Sequence, residues 1–157
     1  MRPRARRSQS VRPGWSGKGF TTIELMVSVA IVGILAMVAM PGYATYVARS
    51  RVIDAAMRLA DARTRMEQYF LDRRAYTDTD GNCGAPPPAT APGDVFAMSC
   101  AATAAAYVVT ATGRSGSGMA EFAFTIDNTG AKATLSLPSG WRRTADCWTY
   151  RPDGSCL

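Results

Sequence analysis

Lys18-Gly19-Phe20-Thr21-Thr22-Ile23-Glu24-Leu25 opens an apolar run that reaches Met40. Glu24 is the only charge between Lys18 and Arg49. A carboxylate within an otherwise membrane-like segment is expensive, about 2.5–3.5 kcal/mol at mid-membrane by insertion scales, so it marks a function and calls for a partner. A cut after Gly19 would supply one. Phe20 would become the first residue, with a positive amine four residues from Glu24.

Working outward, Phe20 to Met40 is a 21-residue apolar stretch. As a helix it reaches about 31 Å, close to the thickness of a bilayer core. Ala30, Gly33, Ala36 and Ala39 are small and permit close helix contact. Pro41-Gly42 follows, which in a soluble helix is a stop signal, yet a helical pattern resumes at Tyr43. Residues 43–74 read as an amphipathic helix. Val47, Val52, Ile53, Ala56, Leu59, Ala60, Met66, Tyr69 and Phe70 recur at helical spacing as an expected core face. Asp54/Arg58 and Asp61/Arg65 are acid-before-base pairs at i,i+4.

Upstream, residues 1–19 form a polar leader holding six bases and no acid. The whole chain of 157 residues carries a formal charge of +6 from 18 bases and 12 acids. From Phe20 onward 12 bases therefore face 12 acids, and the basic excess is a targeting region kept on the cytoplasmic side. That balance argues against nucleic acid as the main partner. Arg142, Arg143 and Arg151 remain as a local patch.

Residues 75–104 read as a connecting region. Asp78, Asp80 and Asn82 alternate like part of a calcium loop, but the glycine and the terminal glutamate of an EF-hand are out of place, so a solvated turn is expected and no metal. Pro86-Pro87-Pro88 favours an extended surface segment. Three strands are predicted, Ala106–Thr112, Glu121–Asp127 and Ala131–Leu137. The second turns Phe122, Phe124 and Ile126 inward, and the third groups Ala131, Ala133, Leu135 and Leu137 on one face. Gly113–Gly118 joins the first two strands, and Asp127-Asn128-Thr129-Gly130 turns between the last two. The fold class is α+β: a long N-terminal helix, apolar in its first half and amphipathic in its second, packed on a small antiparallel sheet.

The four cysteines all follow residue 80, in a chain that reads as exported, so two disulfides are expected. Of the three pairings we favour the sequential one, Cys83–Cys100 and Cys147–Cys156, because each closes a short Gly- and Pro-containing loop with little apolar content. Loops of this size stabilise by about 3 kcal/mol each in the chain-entropy model. With no histidine and no C-x-x-C, a zinc site is disfavoured. Lack of histidine also removes most triads and general-base schemes, no G-x-S-x-G is present, and the chain reads as a non-enzyme without cofactors.

The stretch Lys18–Leu25 with its apolar run closely resembles the prepilin signature of type IV pilins and pseudopilins. Ser50-Arg51-Val52, Glu67-Gln68-Tyr69-Phe70, Phe122–Asp127 and Cys147-Trp148 extend the resemblance, more loosely, to PilE-type minor pilins of the type IVa class. The resemblance implies that prepilin peptidase cuts after Gly19 and that Phe20 is then N-methylated. It implies that Glu24 is the assembly acid, meeting the amine of Phe20 on a neighbouring subunit, and that the helix bends at Pro41-Gly42. It implies a pilin fold divided into a removed leader (1–19), a membrane and fibre-core half-helix (20–42), an amphipathic half-helix (43–74), a connecting loop (75–104) and a sheet with a disulfide-closed C-terminal loop (105–157).

Expected partners are other pilin subunits, the peptidase, an inner-membrane assembly platform and a tip adhesin. The chain is expected in the inner membrane with its C-terminal domain in the periplasm, and after assembly in an extracellular pilus (a fimbrium) that serves adhesion and twitching motility. In the C-terminal loop, Trp141, Arg142, Arg143 and Tyr150 are types enriched at interfaces and form a candidate interaction surface. Two alternatives stay open, a type II secretion pseudopilin and a DNA-binding competence pilin.

Overall fold

In the computed structural model, residues 19–157 are described, with the side chains of 38–42 excepted. The chain divides into two units, Met1–Ala39 and Met40–Leu157. One helix, α1 (Thr22–Arg73), contributes to both. Thr21 caps it. Its hydroxyl accepts the Glu24 amide at 3.3 Å, and Thr21-x-x-Glu24 has the composition of a capping box. Glu24 in the first turn and Arg73 in the last both suit the helix dipole.

In the first unit, every large apolar side chain from Ile23 to Met37 is more than half exposed. Among the described residues no helix is long and apolar enough to cross a membrane. The expected bend at Pro41 and Gly42 falls where side chains lie outside the described residues.

In the second unit, α1 packs on a four-stranded antiparallel sheet of order β1-β2-β3-β4, formed by Phe96–Ala102, Tyr107–Gly113, Ala123–Asp127 and Lys132–Ser136. Val52, Ala55, Ala56, Leu59, Ala62 and Met66 recur every three or four residues and are buried against the sheet. Burying a Leu59 or a Met66 is worth about 1.5–3 kcal/mol each. Opposite them lie Phe96 of β1, Tyr107, Val109 and Ala111 of β2, and Phe124 and Ile126 of β3, joined by Phe122 and Met119 from the connection before β3.

The helix ends where Arg74 takes a left-handed φ of 59° and donates its amide to the Phe70 carbonyl at 2.7 Å. Tyr76 then turns back into the core, stacked on Phe70 with centroids 4.5 Å apart and meeting Tyr107 edge-on at 4.8 Å. Gly84 is needed beside this turn, since a Cβ there would fall 2.0 Å from the Tyr69 ring. Disulfides join Cys83 to Cys100 and Cys147 to Cys156.

Three sequence expectations fail. Ile53 and Ala60 are exposed instead of core, because α1 is covered along one stripe only, while the small Ala55 and Ala62 sit inside it. Residues 75–104 are not all connection, since β1 lies within them. The face of β4 is inverted: Thr134 is 5% exposed and pairs across to Phe124, while Leu135 is 49% exposed. The register slips between Ala123 and Phe124, leaving Leu135 without a cross-strand partner. Thr134 can be buried because both capacities of its hydroxyl are used. It donates to the Cys147 carbonyl at 2.8 Å and accepts the Thr149 amide at 3.0 Å.

Candidate functional site

The sequence-predicted residues fall into two places. Gly19, Phe20 and Glu24 stand at the start of α1, and all three are exposed. A Cβ on Gly19 would meet nothing within 4 Å, so the glycine is not required by packing here. Phe20, 80% exposed, leaves a large aromatic face in solvent. Glu24 heads the half of α1 that is apolar all round, the pattern of a segment buried in some larger apolar setting. Its carboxylate is compatible with the local N-terminal dipole, and in an apolar setting it would require a cation as well.

The second place is the C-terminal loop. Cys147–Cys156 closes it, and an isolated bridge pairs Thr149 with Cys156. Tyr150 donates its amide to the Ser155 carbonyl at 3.0 Å, and the Gly154 amide donates to the Arg151 carbonyl at 3.1 Å across the Pro152-Asp153 turn. Hydrogen bonds from the Ser155 hydroxyl and amide hold the Asp153 carboxyl below the usual carboxylate range. Trp148 anchors the loop. It is buried, and its Nε1 donates to the Thr125 carbonyl of β3 at 2.8 Å. It therefore belongs to the core and not to the exposed face of this loop.

Of the four residues singled out from sequence, Arg142 and Arg143 are exposed. Trp141 is half-buried edge-on against Phe122 at 5.0 Å, and Tyr150 is half-buried between cations. Arg49 of α1 lies 5.7 Å and Arg151 lies 5.0 Å from the Tyr150 ring centre. Arg49 was not legible as part of this group, since nothing in its helical spacing points to a ring a hundred residues away. The structure thus gathers Arg49 and Arg151 on one tyrosine, with Arg142 and Arg143 on the strand-less stretch of the same tail. Chemically this is a cationic and aromatic surface.

At the other end of the sheet-facing helix, Glu67 accepts the Tyr107 hydroxyl at 3.0 Å and the Tyr76 hydroxyl at 3.1 Å. Burial, then the hydrogen bond to Glu67, pushes both tyrosine hydroxyls above their ordinary range. The three side chains form a tie between helix and sheet that no sequence pattern announces. Arg58 ties the helix to the loop before β1, bridging Asp54 of its own helix at 3.1 Å and Asp94 at 2.9 Å. In the turn that alternates like a calcium loop, Asp78 Oδ1 accepts the amides of Asp80 at 3.0 Å and Asn82 at 2.8 Å, so it is occupied by the turn itself. Among the described residues no group of three or more His, Cys, Asp or Glu side chains could hold a metal ion.

Residues 41–129 match the family model described as "Type IV minor pilin ComP, DNA uptake sequence receptor". A type IV major pilin protein PilE1 of Neisseria gonorrhoeae is 40% identical over 71 residues, covering 45% of this chain and 43% of that protein. A type IV major fimbrial protein FimA of Dichelobacter nodosus is 48% identical over 61 residues, covering 39% of each. The chain thus spans about two-fifths of the length of these relatives. Among solved structures, the non-core minor pilin PilV of Neisseria meningitidis superposes with a TM-score of 0.50 at 13% identity, over 60% of this chain and 93% of that one, a likeness of fold alone.

Proposed function

The chain belongs to the type IV pilin family, with the ComP minor-pilin description matching more than half of it, and from that premise we propose that it is a minor subunit of a type IV pilus. As a pilin it is a structural protein whose partners are other pilin subunits. The observation that carries the proposal is the bare apolar half of α1, capped by Thr21 and headed by Glu24, in a chain whose second unit has the pilin fold.

In the proposed course, prepilin peptidase cuts after Gly19 and Phe20 is methylated. The subunit waits in the inner membrane with residues 20–42 in lipid and the sheet domain in the periplasm. The helix then passes from lipid into a bundle of like helices in an extracellular fibre, so its surroundings stay apolar throughout. Glu24 pairs with the methylated amine of Phe20 on a neighbour, which offsets the desolvation of both charges and selects the register. Pro41-Gly42 absorbs a bend on that passage. The assembly platform drives it, and the fibre serves adhesion and twitching motility. Sheared surface fibres test the assignment. A minor subunit is present in traces beside an abundant pilin; a chain that dominates the preparation is the major subunit, and one absent from it is not a pilus subunit.

A second reading has its own support. The family description names a DNA uptake sequence receptor, and Arg49, Arg151, Arg142 and Arg143 make a basic and aromatic surface that the even balance of bases and acids from Phe20 onward conceals. Under this reading the tail contacts phosphates, and affinity falls steeply with salt. Binding of a duplex by the full chain in detergent across a salt series tests it. Salt-dependent binding that weakens in Arg142→Ala/Arg143→Ala supports the receptor reading, and binding indifferent to these variants removes it.

A further inference from the structure

A cleft of about 520 Å³ opens between α1 and the β3–β4 hairpin, with Ile126, Trp148 and Leu71 as its apolar parts and Arg63 and Lys132 as its cations. Its one acid, Glu67, is engaged by the Tyr76 and Tyr107 hydroxyls. Among the described residues the ion pairs join Arg58 to Asp54 and Asp94 and Arg65 to Asp61, and neither cleft cation takes part. Arg63 is half-buried, and its Nε is buried with no hydrogen-bond partner. Its guanidinium lies against Gly130, where a Cβ would come within 3.0 Å of it and where φ is +83°, so the hairpin turn leaves room for the cation. Lys132 sits 4.6 Å from the centre of the Trp148 ring and donates to the Leu157 main-chain oxygen at 3.4 Å. Two cations beside an apolar floor, neither spent in an ion pair among the described residues, describe a receptor for an anion on an apolar stem.

The same chain carries an acidic turn. From Ala75 to Gly113 it carries no base. Within that stretch Asp78 fixes a turn by accepting the Asp80 and Asn82 amides, the Thr77↔Cys83 bridge closes it, and Asp80 is left exposed and outside every ion pair among the described residues. We propose that the cleft of Arg63 and Lys132 is a docking site for an acidic turn of this type on an adjoining pilin subunit. This rests on the pilus-subunit reading. Such a contact is heterologous, one patch meeting a different patch. Nucleic acid is the poorer occupant. Trp148 is only 4% exposed and covered by Lys132, so it offers no face for a base, and the apolar floor suits side-chain methylenes rather than phosphate.

The test places a photo-crosslinking residue at Leu71, which is 69% exposed, in the full chain in its native host, and maps adducts in sheared fibres by mass spectrometry. The expected adduct joins Leu71 to an aspartate- or glutamate-bearing turn of a pilin subunit. Its yield falls about tenfold in Arg63→Glu/Lys132→Glu, as for loss of a desolvated charge contact, with the amount of processed chain unchanged. Gln68→Glu, on the exposed side of α1, leaves the packing of Arg63 alone and lowers the yield in the same direction. An adduct to DNA, an adduct to a segment without acids, no adduct, or a yield indifferent to these variants overturns the inference while the chain is still found in fibres. Absence of the chain from fibres overturns the pilus-subunit reading as well.

Discussion

The stretch Ile23–Met37 leaves every large apolar side chain more than half exposed, whereas Val52–Met66, an equal length of the same helix, buries Val52, Leu59 and Met66 completely. Both are rich in Ala, Val, Ile, Leu and Met. They differ in how charge is distributed. In the second stretch Asp54, Arg58, Asp61, Arg63 and Arg65 stand off the buried stripe, which confines most of the apolar residues to it. The first has only Glu24, so no side of it is suited to water. A striped helix completes its burial within the chain, and an unstriped one completes it with something else. The two halves should therefore respond to different assays, stability for one and assembly for the other.

The largest effect is expected at Glu24. In Glu24→Val, incorporation into fibres should fall by about a hundredfold or more, since under the proposed assembly the Phe20 amine of the neighbour is left as an unpaired buried charge. The melting temperature of the full chain in detergent should not move. Equal incorporation of mutant and native chains would break the proposed division between the halves.

Leu59→Ala should do the reverse. It removes a wholly buried side chain facing the sheet and should lower stability by about 2–5 kcal/mol. Denaturant unfolding measures this, and the N-terminal half should be processed as before.

The inverted β4 strand gives a finer contrast between adjacent positions. Thr134→Val strands the Cys147 carbonyl and the Thr149 amide, at a cost of about 1–3 kcal/mol. Leu135→Ser, at the exposed unpaired position, should change stability by no more than about 0.5 kcal/mol. Had the sheet followed the plain alternation of its apolar residues, the two costs would be exchanged.

The smallest effect concerns acid. The Thr129 hydroxyl, with turn amides behind it, holds the Asp127 carboxyl below its ordinary range. A depressed folded pKa contributes stability that is fully present above the unfolded value, about 3.9, and is lost as pH falls through the folded value. Melting temperature should therefore be insensitive to this group near neutrality and decline below about pH 4. Asp127→Asn should make that decline shallower.

These contrasts also explain what could be read in advance. The helix was legible because α1 repeats its apolar residues over many turns, and β3 because Phe122, Phe124 and Ile126 alternate without interruption and are all buried. β1 was not, because Phe96-Ala97-Met98-Ser99-Cys100-Ala101-Ala102 is mostly small residues with weak strand preference, and its pairing with β2 supplies what its own composition lacks. β4 was placed but faced the wrong way, since alternation counts apolar residues and cannot see that a threonine hydroxyl will be doubly satisfied by a loop a dozen residues on. The site followed the same rule. Glu24 stood out because its surroundings in sequence are bare of charge, while Arg49 beside Tyr150 and Arg63 beside Gly130 are juxtapositions made only by folding.

The division between a self-contained half and a half completed by neighbours is tested most directly by the first residue of the chain recovered from sheared fibres. Intact mass and N-terminal fragmentation should show a chain that begins at N-methylated Phe20, with residues 1–19 gone. A fibre-borne chain that still carries Gly19 and the bases before it would contradict the account, because Glu24 would then have no terminal amine to meet.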